Sequence, residues 1–239
     1  MLVCGASSGL GRHFAALLAE LPARVALAAR RIDRLAGPVA SIEAVAGGRR
    51  AHVVGRDRRR QRAPTMDDLG DWGPPDVVIN NAGVTVTRTL LAQTEADCDL
   101  VLGTNLKGCW LINYRGGAAD GRGGSGGSIV NIASIWAGGW LAASRLCHIQ
   151  AGVVQATKAM ALELARHRIR VNALLPGYVE TDLNRDFLRQ AGEKMRQRFV
   201  ERWRAGRPGR PVAAAWPQTP ALPCPAPSWR STAPPMSSL

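Results

Sequence analysis

From residue 1 to about residue 180, short apolar runs alternate with segments of helical periodicity. Leu2-Val3 is the stub of a strand leading into a glycine turn, Gly5-Ala-Ser-Ser-Gly9-Leu-Gly11. Leu10, Phe14, Leu17 and Leu18 then fall at i, i+4, i+7 and i+8, one face of a helix. Further strands are predicted at Val25 to Ala29, Ala51 to Val54, Asp76 to Ile79, Ser128 to Ile132 and Arg170 to Leu174. Ala151 to Arg166 reads as a long apolar helix. Thr94, with Asp97 three residues on, resembles a capping box and can cap a helix running through Leu102 toward Trp110. Strands alternating with helices call for right-handed crossovers, so the expected fold is α/β: a Rossmann-type, doubly wound parallel sheet in three αβα layers.

Four stretches break the pattern. An Arg-rich run, Arg56 to Pro64, stands where a helix-bearing crossover is due, and Asn113 to Gly127 is loop-like where a helix should continue. Residues 140 to 150 lack clear periodicity, and residues 211–239 carry eight of the 15 Pro with no strand or helix pattern. The division that follows is one Rossmann-type domain over residues 1–210 and an irregular, disordered tail over 211–239.

A length of 239 residues is ample for one buried core. The formal charge of +13 comes from 28 Arg and three Lys against 18 acids, a balance that invites a nucleic-acid reading. The five Arg between 56 and 62 have no aromatic neighbour to serve as a stacking platform, so no nucleic-acid partner is expected. No apolar run reaches the ~18 residues of a membrane span and the chain opens without a basic leader, so no membrane partner is expected and the location reads as cytoplasmic. Cys4, Cys98, Cys109, Cys147 and Cys224 show no CxxC spacing and no His companion, which suggests reduced thiols and no metal site.

The glycine turn sits between a strand and a helix, where absent Cβ atoms let backbone N–H groups approach a pyrophosphate at the positive helix end; such a motif by itself is more often a plain turn, and its position between strand and helix is what lifts it. Arg30-Arg31 closes the second strand, where an acid would hold a ribose 2′-hydroxyl and a base a 2′-phosphate. Arg30 also reads as a solvated charge, and Asp33 as a helix cap.

On these residues, with Asn80-Asn-Ala-Gly83, Asn105 in Thr-Asn-Leu-Lys-Gly, Ser134 in Ile-Val-Asn-Ile-Ala-Ser, Arg170-Val-Asn172 and Pro176-Gly-Tyr-Val-Glu-Thr181, the chain resembles the short-chain dehydrogenase/reductase family from residue 1 to about 210. The resemblance implies hydride transfer between NADP, or NAD, and a small secondary alcohol or ketone, of 3-oxoacyl or sugar/polyol type. It implies that Gly5, Ser7, Ser8, Gly9, Leu10 and Gly11 cradle the pyrophosphate, that Arg30 favours NADP, and that Asp57 meets the adenine. Asn81, Ala82 and Gly83 would line the adenosine side, and Pro176, Gly177 and Thr181 the nicotinamide carboxamide. The family is usually a homotetramer, an assembly in doubt here because the segment that builds it is altered.

In that family a Tyr acts on the substrate oxygen, a Lys four residues later tunes it, a Ser orients the carbonyl and an Asn holds a relay water. A free phenol, with a pKa of about 10, is poorly matched to neutral pH without such tuning. Asn105 and Ser134 are present, but the Tyr and Lys positions fall on Leu146 and Gln150. Three readings compete. His148 could replace the acid, although two residues from Leu146 on a helix is roughly the opposite side. The chain could bind NADP as a pseudoenzyme or regulatory module without turnover.

The third reading is a frameshift hypothesis. Leu146-Cys-His-Ile-Gln-Ala151 can be encoded CTA TGC CAC ATC CAA GCC, and one base on those letters give Tyr-Ala-Thr-Ser-Lys. Ser228 to Met236 can be written so that two bases on it yields Leu-Ala-Ile-Asp-Gly-Ala-Pro-His, similar to the family's closing strand. Residues from about 140 to 150, the tail and the Arg-rich run would then be translated out of frame. The coding DNA decides: codons at 146 to 151 that do not give Tyr and Lys one base on rule this out for that segment. Without the Arg-rich run the charge would be about +9, less demanding of a partner.

Overall fold

The computed structural model describes residues 1–46, 51–55, 69, 71–86, 88–123, 126–138, 144–177, 179, 181–183, 185 and 213–216. The strands are β1 (Leu2–Cys4), β2 (Val25–Ala29), β3 (Ala51–Gly55), β4 (Val77–Asn80), β5 (Gly127–Ile132), β6 (Ile169–Pro176) and β7 (Ala213–Trp216). They form one sheet in the order β3-β2-β1-β4-β5-β6-β7, with β1 to β6 all parallel. The order reverses between β1 and β4, and at such a switch point an open α/β sheet leaves a crevice at the carboxyl ends of its strands.

Burial explains why these short runs settle as strands. All five residues of β2 are buried, as expected for a central parallel strand covered on both faces. Side chains alternate between two halves of the core. Leu2, Cys4, Ala26, Ala28, Val78, Ile129 and Val171 pack on one face; Val3, Val25, Leu27 and Ala29 pack on the other. Helices α1 (Gly9–Ala19) and α2 (Ala36–Ala46) cover the second face, through Ala15, Ala19 and Ile42. Helices α4 (Gly108–Gly123) and α5 (Ser144–Leu164) cover the first, through Ile112, Met160 and Leu164. The three αβα layers expected from the sequence are therefore present.

Several expectations need correction. The buried stripe of α1 is Gly11, Ala15 and Ala19, with Phe14 and Leu18 beside it, while Leu17 is 46% exposed. Small residues four apart let the helix lie close to the strands, and that outweighs the larger side chains in choosing the face. Asp33 is not a cap: it lies in the first turn of the short helix Ile32–Leu35, whose N-cap is Arg31. The stretch expected to loop from Asn113 is helical to Gly123, because the buried side formed by Cys109, Ile112, Asn113 and Gly116 keeps helical spacing despite weak glycine propensity. The aperiodic stretch before Ala151 is helical from Ser144. Within the tail expected to be irregular, Ala213–Trp216 pairs antiparallel with β6, Leu174 opposite Ala215, so the β6 edge is covered there. An edge strand's unpaired N–H and C=O groups accept any segment free of proline, and Ala-Ala-Ala-Trp is such a segment. The Arg-rich run at 56 to 62 lies outside the described residues.

Helix α3 (Glu95–Val101) has the expected cap: Thr94 Oγ1 accepts from the Asp97 N–H at 3.2 Å, and Asp97 Oδ2 accepts from the Thr94 N–H at 3.0 Å. The backbone hydrogen bond from Thr94 is the main reason the Asp97 carboxyl is held below its ordinary range, with Arg88 at 3.0 Å adding to it. A depressed carboxyl pKa contributes stability at neutral pH that fades as pH falls through the folded-state value. Thr94→Ala is expected to lower the unfolding free energy by about 1 kcal/mol in urea titrations at neutral pH.

Candidate active site

Because β1 to β6 run parallel, the residues following each strand gather along one edge of the sheet. Gly5 follows β1, Arg30 follows β2, Asn81 follows β4, Ser134 follows β5 and Gly177 follows β6. The sequence motifs are thereby brought into one crevice, although they span most of the chain.

The glycine turn is shaped by contacts that no side chain could tolerate. Gly5 has φ +74°, and a Cβ on it would lie 2.8 Å from Ala82 Cα. A Cβ on Gly11 would collide with the Gly5 carbonyl oxygen. The turn is pinned by the Gly5 and Ala6 N–H groups donating to the Ala28 carbonyl, at 2.7 and 3.2 Å, and by Asn81 Nδ2 donating to the Gly5 carbonyl at 3.4 Å. From the far side Thr181 closes in: a Cβ on Gly9 would sit 3.3 Å from its Cβ and Cγ2. Gly5, Ser7, Ser8, Gly9, Leu10, Gly11, Asn81, Ala82 and Thr181 are thus one structural unit. Pro176 is buried at the end of β6, with Gly177 next to it.

Ser8 is the N-cap of α1, yet its hydroxyl makes no capping bond. It accepts instead from Arg31 Nη2 at 3.1 Å, which also reaches Ser7 Oγ at 3.5 Å. The first N–H groups of α1 are therefore left without a side-chain cap, and a helix of this length presents a partial positive charge there. A narrow, backbone-lined turn with such donors fits a pyrophosphate. The sequence places Arg30 and Arg31 together at this strand end and gives the NADP preference to Arg30. Both are exposed, and of the two it is Arg31 whose guanidinium bonds the turn, at Ser8 Oγ. Sequence alone could not choose between adjacent residues whose side chains leave a strand end in opposite directions. Asp57 lies outside the described residues.

Asn105 sits in a π-helical turn, Leu102–Lys107, linking α3 to α4. Its side chain is 5% exposed and clamps one residue, Val84, accepting from its N–H at 2.8 Å and donating to its carbonyl at 2.9 Å. This fixes the strand-end segment after β4, and Gly83 faces the same amide. Such π turns recur at functional sites because they re-aim one side chain. Ser134 lies two residues past β5 and begins the short turn Ile135–Gly138. Beneath it, Asn131 Nδ2 donates to Thr157 Oγ1 at 2.9 Å, which in turn donates to the Val153 carbonyl at 2.7 Å, tying β5 to α5.

Leu146 and Gln150 occupy the first turns of α5, four residues apart and so on one helix face. Gln150 is 8% exposed, and its Oε1 has no hydrogen-bond partner among the described residues. A buried amide oxygen left unpaired is unfavourable by roughly 1–3 kcal/mol. His148 is exposed on the same helix. Neither leucine nor glutamine carries a proton that titrates near neutral pH, so neither of these two residues can act as a general acid.

Burial pushes the thiols of Cys4 and Cys109 up to about 12, so both stay protonated and neither acts as a nucleophile at neutral pH. Iodoacetamide at neutral pH, followed by peptide mass spectrometry, should leave both unmodified in the folded protein and modify both after denaturation.

Beside the glycine turn is a cavity of about 600 Å³ whose wall includes Ser8, Arg12, His13, Arg34, Asp182 and Arg185. The sequence does not bring Arg12, His13 and Arg34 to this wall, since charges spread over separate segments leave no local motif. No group of three metal-binding side chains occurs among the described residues, and no described helix is long and apolar enough to cross a membrane.

Residues 1–192 match the family model for short chain dehydrogenases. The chain is similar to the (3R)-3-hydroxyacyl-CoA dehydrogenase of Rattus norvegicus, 33% identical over 204 residues that cover 81% of this chain and 79% of the relative. It is 31% identical over 225 residues to the 3-oxoacyl-(acyl-carrier-protein) reductase FabG of Thermotoga maritima, covering 90% and 86%. Among solved structures it is similar to a short-chain dehydrogenase from Sphingobium yanoikuyae in complex with NADPH, at TM-score 0.70 and 25% identity, covering 76% of this chain and 72% of that one.

Proposed function

The chain belongs to the short-chain dehydrogenase family of oxidoreductases acting on CH–OH groups, and on that premise we propose that it binds NADP(H) in the glycine cradle while its hydride-transfer chemistry is severely impaired. One observation carries the reading: the glycine cradle is complete, whereas the helix face that should bear the proton donor holds Leu146 and a buried, neutral Gln150. When bound, the nicotinamide supplies or accepts the hydride.

The chain's own residues contribute the rest. Gly5, Gly9 and Gly11 would let the backbone close on a pyrophosphate, and the N–H groups of α1 that lack a side-chain cap would meet its charge. Arg31 holds the Ser8 hydroxyl away from those donors. Ser134 would donate to a substrate carbonyl oxygen, and Asn105 fixes the segment after β4 by its two bonds to Val84. No residue at position 146 then protonates the alkoxide. Loss of a positioned general acid typically costs ~10²- to 10⁴-fold, and no cation at position 150 tunes a replacement. The substrate class is a secondary alcohol or its ketone. A 3-oxoacyl thioester is the first choice, because both relatives above are named for acyl thioester chemistry, with a sugar or polyol ketone second.

The origin proposed for the gap is a frameshift over residues 140 to 150, which the coding DNA tests as stated above. The second reading, a regulatory module that binds NADP as its purpose, rests on the same cradle. Fluorescence titration with NADPH and NADH tests both: saturable NADPH binding with weaker NADH binding is expected, and absence of binding to either would exclude both.

A further inference from the structure

Around Ser134 and the first turns of α5, no described side chain inside the crevice is charged. Both amide atoms of Asn105 are committed to the Val84 backbone, at 2.8 and 2.9 Å. Gln150 brings a buried, neutral amide. Cys109, packed against Ala133 next to Ser134, is kept protonated by burial. Residues 134–150 contain no Asp, Glu or Tyr, and their one histidine, His148, is exposed. The segment after β6 adds apolar surface, with Val179 and Leu183 38% and 55% exposed.

What such a site can reduce depends on where the negative charge goes. Hydride addition to a ketone leaves an alkoxide, about as basic as hydroxide, the anion of water with its pKa of ~15.7. That oxygen needs a proton donor in place as it forms. Hydride addition to a quinone leaves a phenolate-type anion, whose conjugate acid has a pKa of about 10. Its basicity is lower by roughly 10⁵- to 10⁶-fold, and by Brønsted behaviour a positioned acid then contributes little.

We propose that the crevice is an NADPH-dependent quinone reductase site, its missing proton donor selecting acceptors that leave as a stabilised anion. The inference rests on the dinucleotide reading above and goes beyond it in substrate class, from ketone to quinone. The quinone gains a hydride, two electrons and one proton, through a new O–H bond as the C4–H bond of the dihydronicotinamide breaks, and NADPH is oxidised to NADP⁺. The hydroquinone monoanion departs and takes its second proton from water. Ser134 donates to the quinone oxygen that collects the charge, which a fixed donor stabilises without itself giving up a proton.

The test uses the full chain with NADPH, without oxygen, and two acceptors. One is duroquinone, whose ring positions all carry methyl groups and so resist addition of thiols such as Cys98; the other is a 3-oxoacyl thioester. With the protein-free rate subtracted, duroquinone should be reduced at least ~10²-fold faster than the thioester. Leu146→Tyr combined with Gln150→Lys should raise thioester reduction by ~10²- to 10⁴-fold and duroquinone reduction by less than about threefold. At equilibrium, durohydroquinone, which NADPH cannot reduce, should quench the fluorescence of NADPH bound to the protein saturably, and a 3-hydroxyacyl thioester should displace it. Duroquinone reduction no faster than without protein, equal stimulation of both acceptors by the double substitution, or no quenching by durohydroquinone would overturn the proposal. Retained NADPH binding in any of these cases leaves the dinucleotide reading standing, whereas no NADPH binding removes both.

Discussion

Leu146→Tyr combined with Gln150→Lys should raise kcat/KM for NADPH-dependent reduction of a 3-oxoacyl thioester by ~10²- to 10⁴-fold over the unmodified chain. The two positions lie four apart at the start of α5, so a phenol and an ammonium placed there share one helix face. The ammonium would favour the phenolate and draw the tyrosine pKa down from about 10 toward neutrality. The effect should be strongly non-additive. Tyrosine alone supplies an untuned acid and lysine alone supplies no acid, so each single variant should recover a small part of the gain. A shift of the pH–rate profile toward neutrality in the double variant, relative to Leu146→Tyr, separates tuning from a packing effect. If the double variant binds NADPH and still fails to turn over, the defect is not confined to the proton-donor pair.

Gly11→Ala is expected to abolish NADPH binding and to destabilise the fold. On propensity alone, alanine inside α1 would gain about 1 kcal/mol. Against that, its Cβ would run into the Gly5 carbonyl and lie 2.6 Å from Asn81 Nδ2, so the turn and the segment after β4 must both give way. Overpacking of this kind costs typically 1–3 kcal/mol, so the clash outweighs the propensity gain. Urea unfolding should show the net loss and an NADPH titration the lost site. Gly37→Ala, where nothing lies within 4 Å of the added Cβ, is the control and should be neutral or stabilising.

How much of this was legible in the sequence depended on whether the signal was local. β2 is bounded by Val25 and Ala29 in sequence and structure alike, because a fully buried strand must be apolar throughout. The Thr94–Asp97 box was readable because both its bonds lie within four residues. The face of α1 was legible in part: Phe14 and Leu18 pack against the core as their spacing indicates, but Leu17 is exposed, because close approach to the sheet centres the buried stripe on Gly11, Ala15 and Ala19. The helical continuation past Asn113 and the strand at Ala213–Trp216 were hidden for a related reason: tertiary packing and an open sheet edge supplied what local propensity lacked. In the site, the glycine turn, Asn81 and Thr181 were readable as motifs. The grip of Arg31 on Ser8 and the wall formed by Arg12 and Arg34 were not, because they join segments that no spacing rule connects. The clamp of Asn105 on Val84 belongs with these: the residue was identifiable, but its partner lies 21 positions away.

A complete dinucleotide cradle joined to a helix face without a proton donor should bind NADPH and turn over slowly. The most direct test is to add NADPH and then a 3-oxoacyl thioester to the unmodified chain while following nicotinamide fluorescence and absorbance together. The account predicts a saturable fluorescence change on NADPH addition, followed by oxidation at least ~10²-fold slower than in the Leu146→Tyr, Gln150→Lys variant under the same conditions. Oxidation as fast as in that variant, or no fluorescence change at all, would contradict it.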